Sequence, residues 1–339
     1  MQHQLKTGPL LNVRGEVMEA GYATSLVKEY SRKRNKCGGL RIKEWDYYYI
    51  GDNHQGIACT IADNDYLWLA SVTLFNFDLG KEITKTKMGF FSRGKLNMPS
   101  TSEKGDIIFN KKGMKISYLH EDGKRHIIVD VKDFQKGHDL KANMILEPSI
   151  KDSMVIVTPF KKRKHFYYNQ KINLLKAYGS ISYQDQNISL NESYGVLDWG
   201  RGVWTYQNTW YWASLSGVYE GKKIGFNLGY GFGDTSKATE NMLFVDDQTY
   251  KLGDVIFNIP KVGKKDDFMS PWTFTSKDNQ INLTFEPILD RYSNTNILII
   301  SSNQHQVFGK FSGSFKVSET KIIEIKEMMG FAEKVKNRW

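Results

Sequence analysis

The chain has 339 residues, 40% of them hydrophobic and 13% aromatic, with a formal net charge of +10. That length exceeds what one hydrophobic core usually serves, so two domains are expected, and the composition is that of a folded rather than a disordered chain. Two cysteines exclude a disulfide scaffold or a zinc site, no run approaches the roughly 20 apolar residues of a membrane helix, and no helix-turn-helix, zinc-finger or RNA-binding signature accompanies the basic excess.

The first residues, Met1 to Lys6, lack the apolar stretch of a signal peptide, which makes a reducing cytoplasm the expected setting. Residues 10–36 show no sustained alternation, and Leu26 to Arg34 is read as a short helical turn. The basic run Arg32-Lys33-Arg34-Asn35-Lys36 and its counterpart Lys161-Lys162-Arg163-Lys164 read as solvated loops. The other reading is a weak peripheral contact with an anionic membrane; nucleic acid is not expected as a partner. From Leu40 onward the pattern is β: Trp45 to Ile50, Gly56 to Ala62 and Tyr66 to Phe75 read as strands. Lys115 to Leu119 and His126 to Val131 flank Glu121-Asp122-Gly123, a hairpin turn because Asp-Gly tolerates positive φ. Met154 to Phe160 is a short apolar run that suits a buried strand, and the lysine-rich residues 161–171 interrupt the pattern.

The second half continues as short strands with turns at Glu220-Gly221, Asp246-Asp247 and Asp278-Asn279. Asn296 to Ser302 is apolar, Val307 to Val317 and Lys321 to Lys326 alternate, and Met328 to Trp339 is read as a closing short helix. Trp45-Asp46-Tyr47 before one hairpin is echoed by Trp210-Tyr211-Trp212 before another, as a duplicated barrel would give. The expectation is therefore an all-β protein with little helix, two antiparallel barrels packed together, dividing into residues 1–175 and 176–339.

Tyr194 to Asp234 is the stretch richest in chemistry, with Trp199, Trp204, Trp210 and Trp212 around Asp198 and Arg201. In an apolar setting Asp198 would hold its proton and serve as a general acid, with aromatic faces stabilising a developing cation; alternatively it pairs with Arg201. The tryptophans either line a ligand cavity or fill a core, and Trp210 and Trp212 share one face. Asn227 and Tyr230 join them as candidate ligand-binding residues, followed by Asp234, Glu240 and Asn241. The glycines of residues 225–233 lack the strand-loop-helix context and lysine of a phosphate loop, and fit a bulge or close barrel packing better. The histidines show no metal-ligand spacing, although His120 and His126 could meet across a hairpin. Glu333 reads as a carboxylate tying the tail to a barrel. Neither metal nor cofactor is expected.

Asp198-Trp199-Gly200-Arg201-Gly202-Val203-Trp204 and Thr209-Trp210-Tyr211-Trp212-Ala213-Ser214 resemble the domain-of-unknown-function family 2804. Ile224 to Asp234 with Glu240-Asn241, Phe308-Gly309-Lys310-Phe311-Ser312-Gly313, and Gly330-Phe331-Ala332-Glu333 with terminal Arg338-Trp339 extend the likeness in order. That family looks like distant kin of double lipocalin-like proteins such as carotenoid hydratases, tocopherol-cyclase-like proteins and certain fungal pericyclases. The resemblance implies two packed lipocalin-like barrels and an apolar cavity within or between them, and it carries over no reaction. Three functions stay open: binding of an apolar or amphipathic, lipid- or isoprenoid-like small molecule; a cofactor-independent hydratase, cyclase or isomerase using Asp198; and an interaction protein with filled barrels.

Overall fold

The computed structural model describes residues 2–37, 40–297 and 300–338. Two strongly curled antiparallel sheets carry most of the described backbone, and among the described residues the helical content is one turn at Arg32–Arg34. Along the main path of the first sheet the strands run Lys81–Phe90, Leu67–Asn76, Gln55–Asp63, Ile42–Gly51, Tyr194–Val203, Phe166–Tyr183, His138–Pro148, Lys124–Gln135, Met114–Glu121 and Ile107–Lys111. The second runs Gln248–Lys251, Met242–Val245, Lys222–Tyr230, Gln207–Tyr219, Ile322–Arg338, Ile300–Lys316, Ile281–Ile297, Trp272–Thr275 and Ile256–Asn258.

The two paths wind alike. Each half opens on a strand, Ile42–Gly51 or Gln207–Tyr219, from which a meander runs outward on one side. The last strand of the half, Tyr194–Val203 or Ile322–Arg338, returns to pair with the opener on its other side. Trp45 and Trp210, the residues of the sequence echo, stand at the same place in the two openers.

Alternation explains why each sheet curls around its own core. Met114, Ile116 and Tyr118 on one strand and Ile127, Val129 and Val131 on the next point inward at every second position and are fully buried. Phe226, Leu228, Phe274, Phe285 and Phe311 do the same in the second sheet. Between them Asp122 and Gly123 adopt φ 49° and 75°, the left-handed pair a two-residue hairpin turn requires.

A third apolar cluster lies where the outer faces of the sheets meet and includes Tyr47, Tyr49, Tyr167, Trp204, Trp212, Phe232, Phe308 and Phe331. A bulge in Phe166–Tyr183 fastens this junction. Register with Tyr194–Val203 shifts between Ile172 and Leu175, and Leu174 takes φ 57°. Asn173 thereby reaches the second sheet, where its Nδ2 donates towards Ser214 Oγ at 2.9 Å and the Leu215 and Phe226 carbonyls at 3.0 Å.

The structure departs from the sequence reading in several places. Residues 166–171 do not interrupt the β pattern but begin an 18-residue strand. The division expected at 175/176 falls inside that strand; the first sheet keeps its strands as far as Val203, and the second begins at Gln207. The tail read as a helix is strand from Ile322 to Arg338, because its backbone completes the ladder beside Gln207–Tyr219. Trp339 lies outside the described residues, as do Leu298 and Ile299 of the apolar stretch 296–302. His120 and His126 do not meet: His126 faces Leu119 across the hairpin and bonds Asn143, while His120 bonds the Ser102 carbonyl.

Candidate functional site: a charged aromatic layer between the sheets

Strand parity sorts the motif residues into two groups. Along Tyr194–Val203, Trp199 and Arg201 point into the first curl, while Asp198 points outward to the second sheet. The Asp198–Arg201 pair is therefore excluded, since residues three apart on a strand face opposite ways. Arg201 instead pairs with Asp46 at 2.9 Å, caps the Pro99, Trp45 and Gly200 carbonyls, and lies 4.4 Å from the Trp199 ring centre. Tyr230 stacks on Tyr211 at 4.5 Å against the second core, away from the junction. Asp198, Trp204, Trp210, Trp212 and Asn227 do converge there.

Trp204, in the short crossing between the sheets, receives Trp45 from the first at 5.6 Å and Trp210 from the second at 5.2 Å, both edge-on. The two tryptophans of the sequence echo thus clasp one ring, each contact adding of order 1 kcal/mol to the burial itself. Trp45 lies flat over its cross-strand partner Gly200, where a Cβ would sit 2.0 Å from the indole. Only glycine leaves room for that ring.

The polar members of the layer begin with Lys171, which is register partner to Asp198 and bonds it at 2.9 Å. Both are buried, and the ammonium sits 3.6 Å from the Trp212 ring centre. Asn169 donates to the other Asp198 oxygen at 2.6 Å. From the second sheet, Trp212 Nε1 donates to Asn227 Oδ1 at 2.6 Å, and Asn227 Nδ2 donates to the Glu240 carbonyl at 2.8 Å. Trp210 Nε1 donates to Glu333 at 2.9 Å, and Gln306 links the same carboxylate to the Tyr47 hydroxyl.

Glu240 differs from the rest. It is 2% exposed, and among the described residues its carboxylate takes part in no salt bridge with the lysines of the layer. The Tyr167 hydroxyl faces it, and burial together with the Glu240 charge pushes that phenol's titration up. Gly229 makes space for it, since a Cβ there would lie 2.2 Å from Glu240 Oε1. Burial pushes Glu240 up to about 7; Lys171 and Lys251 oppose the shift, while Asp198 and Glu333 add to it. Burial likewise raises Glu333 to about 7, against the Trp210 hydrogen bond and the Lys171 charge. Two carboxyls in one dry aromatic layer therefore exchange protons near neutrality, beside a fixed Lys171–Asp198 pair.

The layer is closed. At its edge a void of about 10 Å³ remains among Tyr49, Val196, Ser214 and Phe331, room for about one water. Glu240 arrives on the connection 231–241, whose Gly231 and Gly233 take φ 96° and 94°. On the outer side of that connection lies an open cleft of about 520 Å³ bordered by Thr235, Lys237, Thr239, Asp254 and Lys277. Just behind it Lys251 donates to Thr239 Oγ1 and the Asn241 carbonyl, both at 2.7 Å; burial lowers this lysine to about 7.

Lys171 and Gln306 escape a motif-based search. Tyr167, Asn169 and Lys171 alternate with Phe166, Tyr168 and Ile172, so the parity signal was present, but a lysine near a basic run reads as surface.

Fold and site together define a class: an all-β protein of two curled antiparallel sheets with a charged, aromatic layer between them. The chain belongs to the family described as Domain of unknown function (DUF2804), which it matches over residues 2–339. No curated protein matches it. Among solved structures it is similar to an AttH-like protein from Nitrosomonas europaea, at 13% identity and TM-score 0.56 over 90% of this chain and 96% of that one. More distant likenesses are kievitone hydratase from Nectria haematococca (11% identity, TM-score 0.47, 100% and 97% covered) and CghA with Sch210972 (9%, 0.42, 88% and 88%). The AttH likeness is one of fold: two curled, lipocalin-like antiparallel sheets.

Proposed function

We propose that the inter-sheet layer is an acid–base site acting on an apolar or amphipathic unsaturated small molecule without a cofactor, with Glu240 as the proton donor. One observation carries this reading: a fully buried carboxyl with a pKa of about 7, faced by the Tyr167 hydroxyl and set among aromatic rings. Such a group is costly to keep unless its proton is used. The acid role moves from Asp198 to Glu240 because Lys171 and Asn169 already occupy both Asp198 oxygens.

The chemistry follows from the residues. The Glu240 carboxyl would add its proton to one carbon of a double bond, leaving positive charge on the other. The faces of Trp210 and Trp212 would stabilise that charge, as Trp212 already does for the Lys171 ammonium. Capture by water gives hydration, and attack by a second double bond gives cyclisation; loss of a different proton gives isomerisation. Glu240 or Glu333 would take up the released proton. Admission would require the connection 231–241 to swing on Gly231 and Gly233, with the polar cleft outside it as the approach. Apolar side chains of the described residues pack together inside each curl, whereas the titrating carboxyls lie between the sheets, which favours the layer over a barrel interior as the binding site.

Glu240→Gln tests this. Native mass spectrometry with organic extraction is expected to find the variant holding one unsaturated apolar molecule that wild-type protein converts. Infrared titration should find two carboxyls near pH 7 in the wild type and only one, that of Glu333, in the variant. A variant with no retained molecule, together with a Glu240 that titrates as an ordinary carboxylate, would sink the proposal.

A further inference from the structure

The two free edges of the first sheet, Lys81–Phe90 and Ile107–Lys111, approach each other at a seam: Lys112 Nζ donates to the Met88 carbonyl at 3.2 Å. Large apolar side chains stand outward there. Phe90 is 67% exposed, Phe91 56% and Ile108 64%, with Met88 beside them. Scattered surface hydrophobes need no explanation, but two adjacent phenylalanines next to an exposed methionine do.

The turn that presents them is built rather than loose. Asp63, fully buried, accepts from Ser92 Oγ at 2.7 Å, the Gly94 N–H at 3.2 Å and the Leu96 N–H at 3.3 Å. The Phe91 N–H is fixed to the Tyr66 carbonyl at 2.6 Å, and Phe91 holds φ 56°, which a bulky side chain adopts only under constraint. Arg93 lies 5.5 Å from the Phe91 ring.

The two segments that carry this patch are basic. Residues 85–95 contain four lysines or arginines and residues 110–115 three more, with no carboxylate in either segment. Of the acids beside these segments, Asp133 pairs with Lys85 at 3.5 Å, Glu82 accepts from Thr84 Oγ1 at 2.6 Å, and Asp106 accepts the backbone N–H of His120 at 3.0 Å. The basic run at residues 32–36 is less available, since Arg32 is bound by Glu44 and Asp65.

We propose that this seam docks on an anionic lipid bilayer, with Phe90 and Phe91 entering the boundary between headgroups and acyl chains and the surrounding cations lying at the headgroups. Protruding aromatics carried on two segments with an excess of lysine and arginine complement that surface on both counts. The inference is independent of the acid–base reading.

Sedimentation of the full chain with phosphatidylcholine vesicles, with and without phosphatidylserine, tests it. Binding to the anionic vesicles at low salt is expected, weakening as salt is raised. Phe90→Ser with Phe91→Asn, asparagine being tolerant of positive φ, should cut partitioning at least about tenfold. Its unchanged circular dichroism would show that the fold survives. Absent wild-type binding at low salt, or equal binding by the variant, overturns the proposal. So does a concentration-dependent dimer that the double variant abolishes, which would assign the patch to a second copy of this chain.

Discussion

Glu240 and Glu333 make the stability of this protein depend on pH in an unusual direction. Both carboxyls rise from 4.5 to about 7 on folding, so between those values the folded state holds protons that the unfolded state has released. Stability contributed by the protonated forms is full below about pH 4.5 and falls as pH rises to about 7, by on the order of 3 kcal/mol for each carboxyl. Thermal melts from pH 5 to pH 8 should show Tm falling in the wild type relative to a Glu240→Gln/Glu333→Gln variant, whose amides cannot ionise. Parallel profiles for the two proteins would mean that neither carboxyl is held protonated.

Among the elements, the bulge in Phe166–Tyr183 decides how the sheets join. Without the register shift after Ile172, Asn173 would not reach the Leu215 and Phe226 carbonyls. Asn173→Ala removes this donor from a fully buried position and leaves several acceptors short, a loss of about 2–3 kcal/mol by urea denaturation. Ser214→Ala, which leaves the two carbonyl bonds in place, should cost less than half as much. Equal effects would locate the anchoring elsewhere than in the bulge.

For the whole molecule, the junction is a shared core rather than a contact between finished bodies. Tyr47, Tyr167 and Lys171 of the first sheet and Trp212, Asn227 and Glu333 of the second are buried together in one layer. Separation would expose both the aromatic cluster and its charges. The full chain is therefore expected to unfold in one cooperative transition, with near-ultraviolet and far-ultraviolet circular dichroism coinciding in denaturant. Two resolved steps would show that each curled sheet is stable alone and the layer only an interface.

The amino-acid sequence by itself determined what local physics can encode: all-β class, hairpins such as that at Asp122-Gly123, the doubled opening at Trp45 and Trp210, and the shared face of Trp210 and Trp212. Alternation and turn chemistry act over a few residues, so they survive without knowledge of the partner strand. Strand parity also separates Asp198 from Arg201, although their closeness in sequence invites pairing. What only the tertiary structure decided was which outward face meets which. Lys171 reads as surface until a second sheet covers it, and Glu240 lies in an irregular connection whose course no periodicity describes. Burial is a property of two surfaces brought together. The shift of these carboxyls to about 7, and with it the site's chemistry, arises only once both sheets are folded and docked.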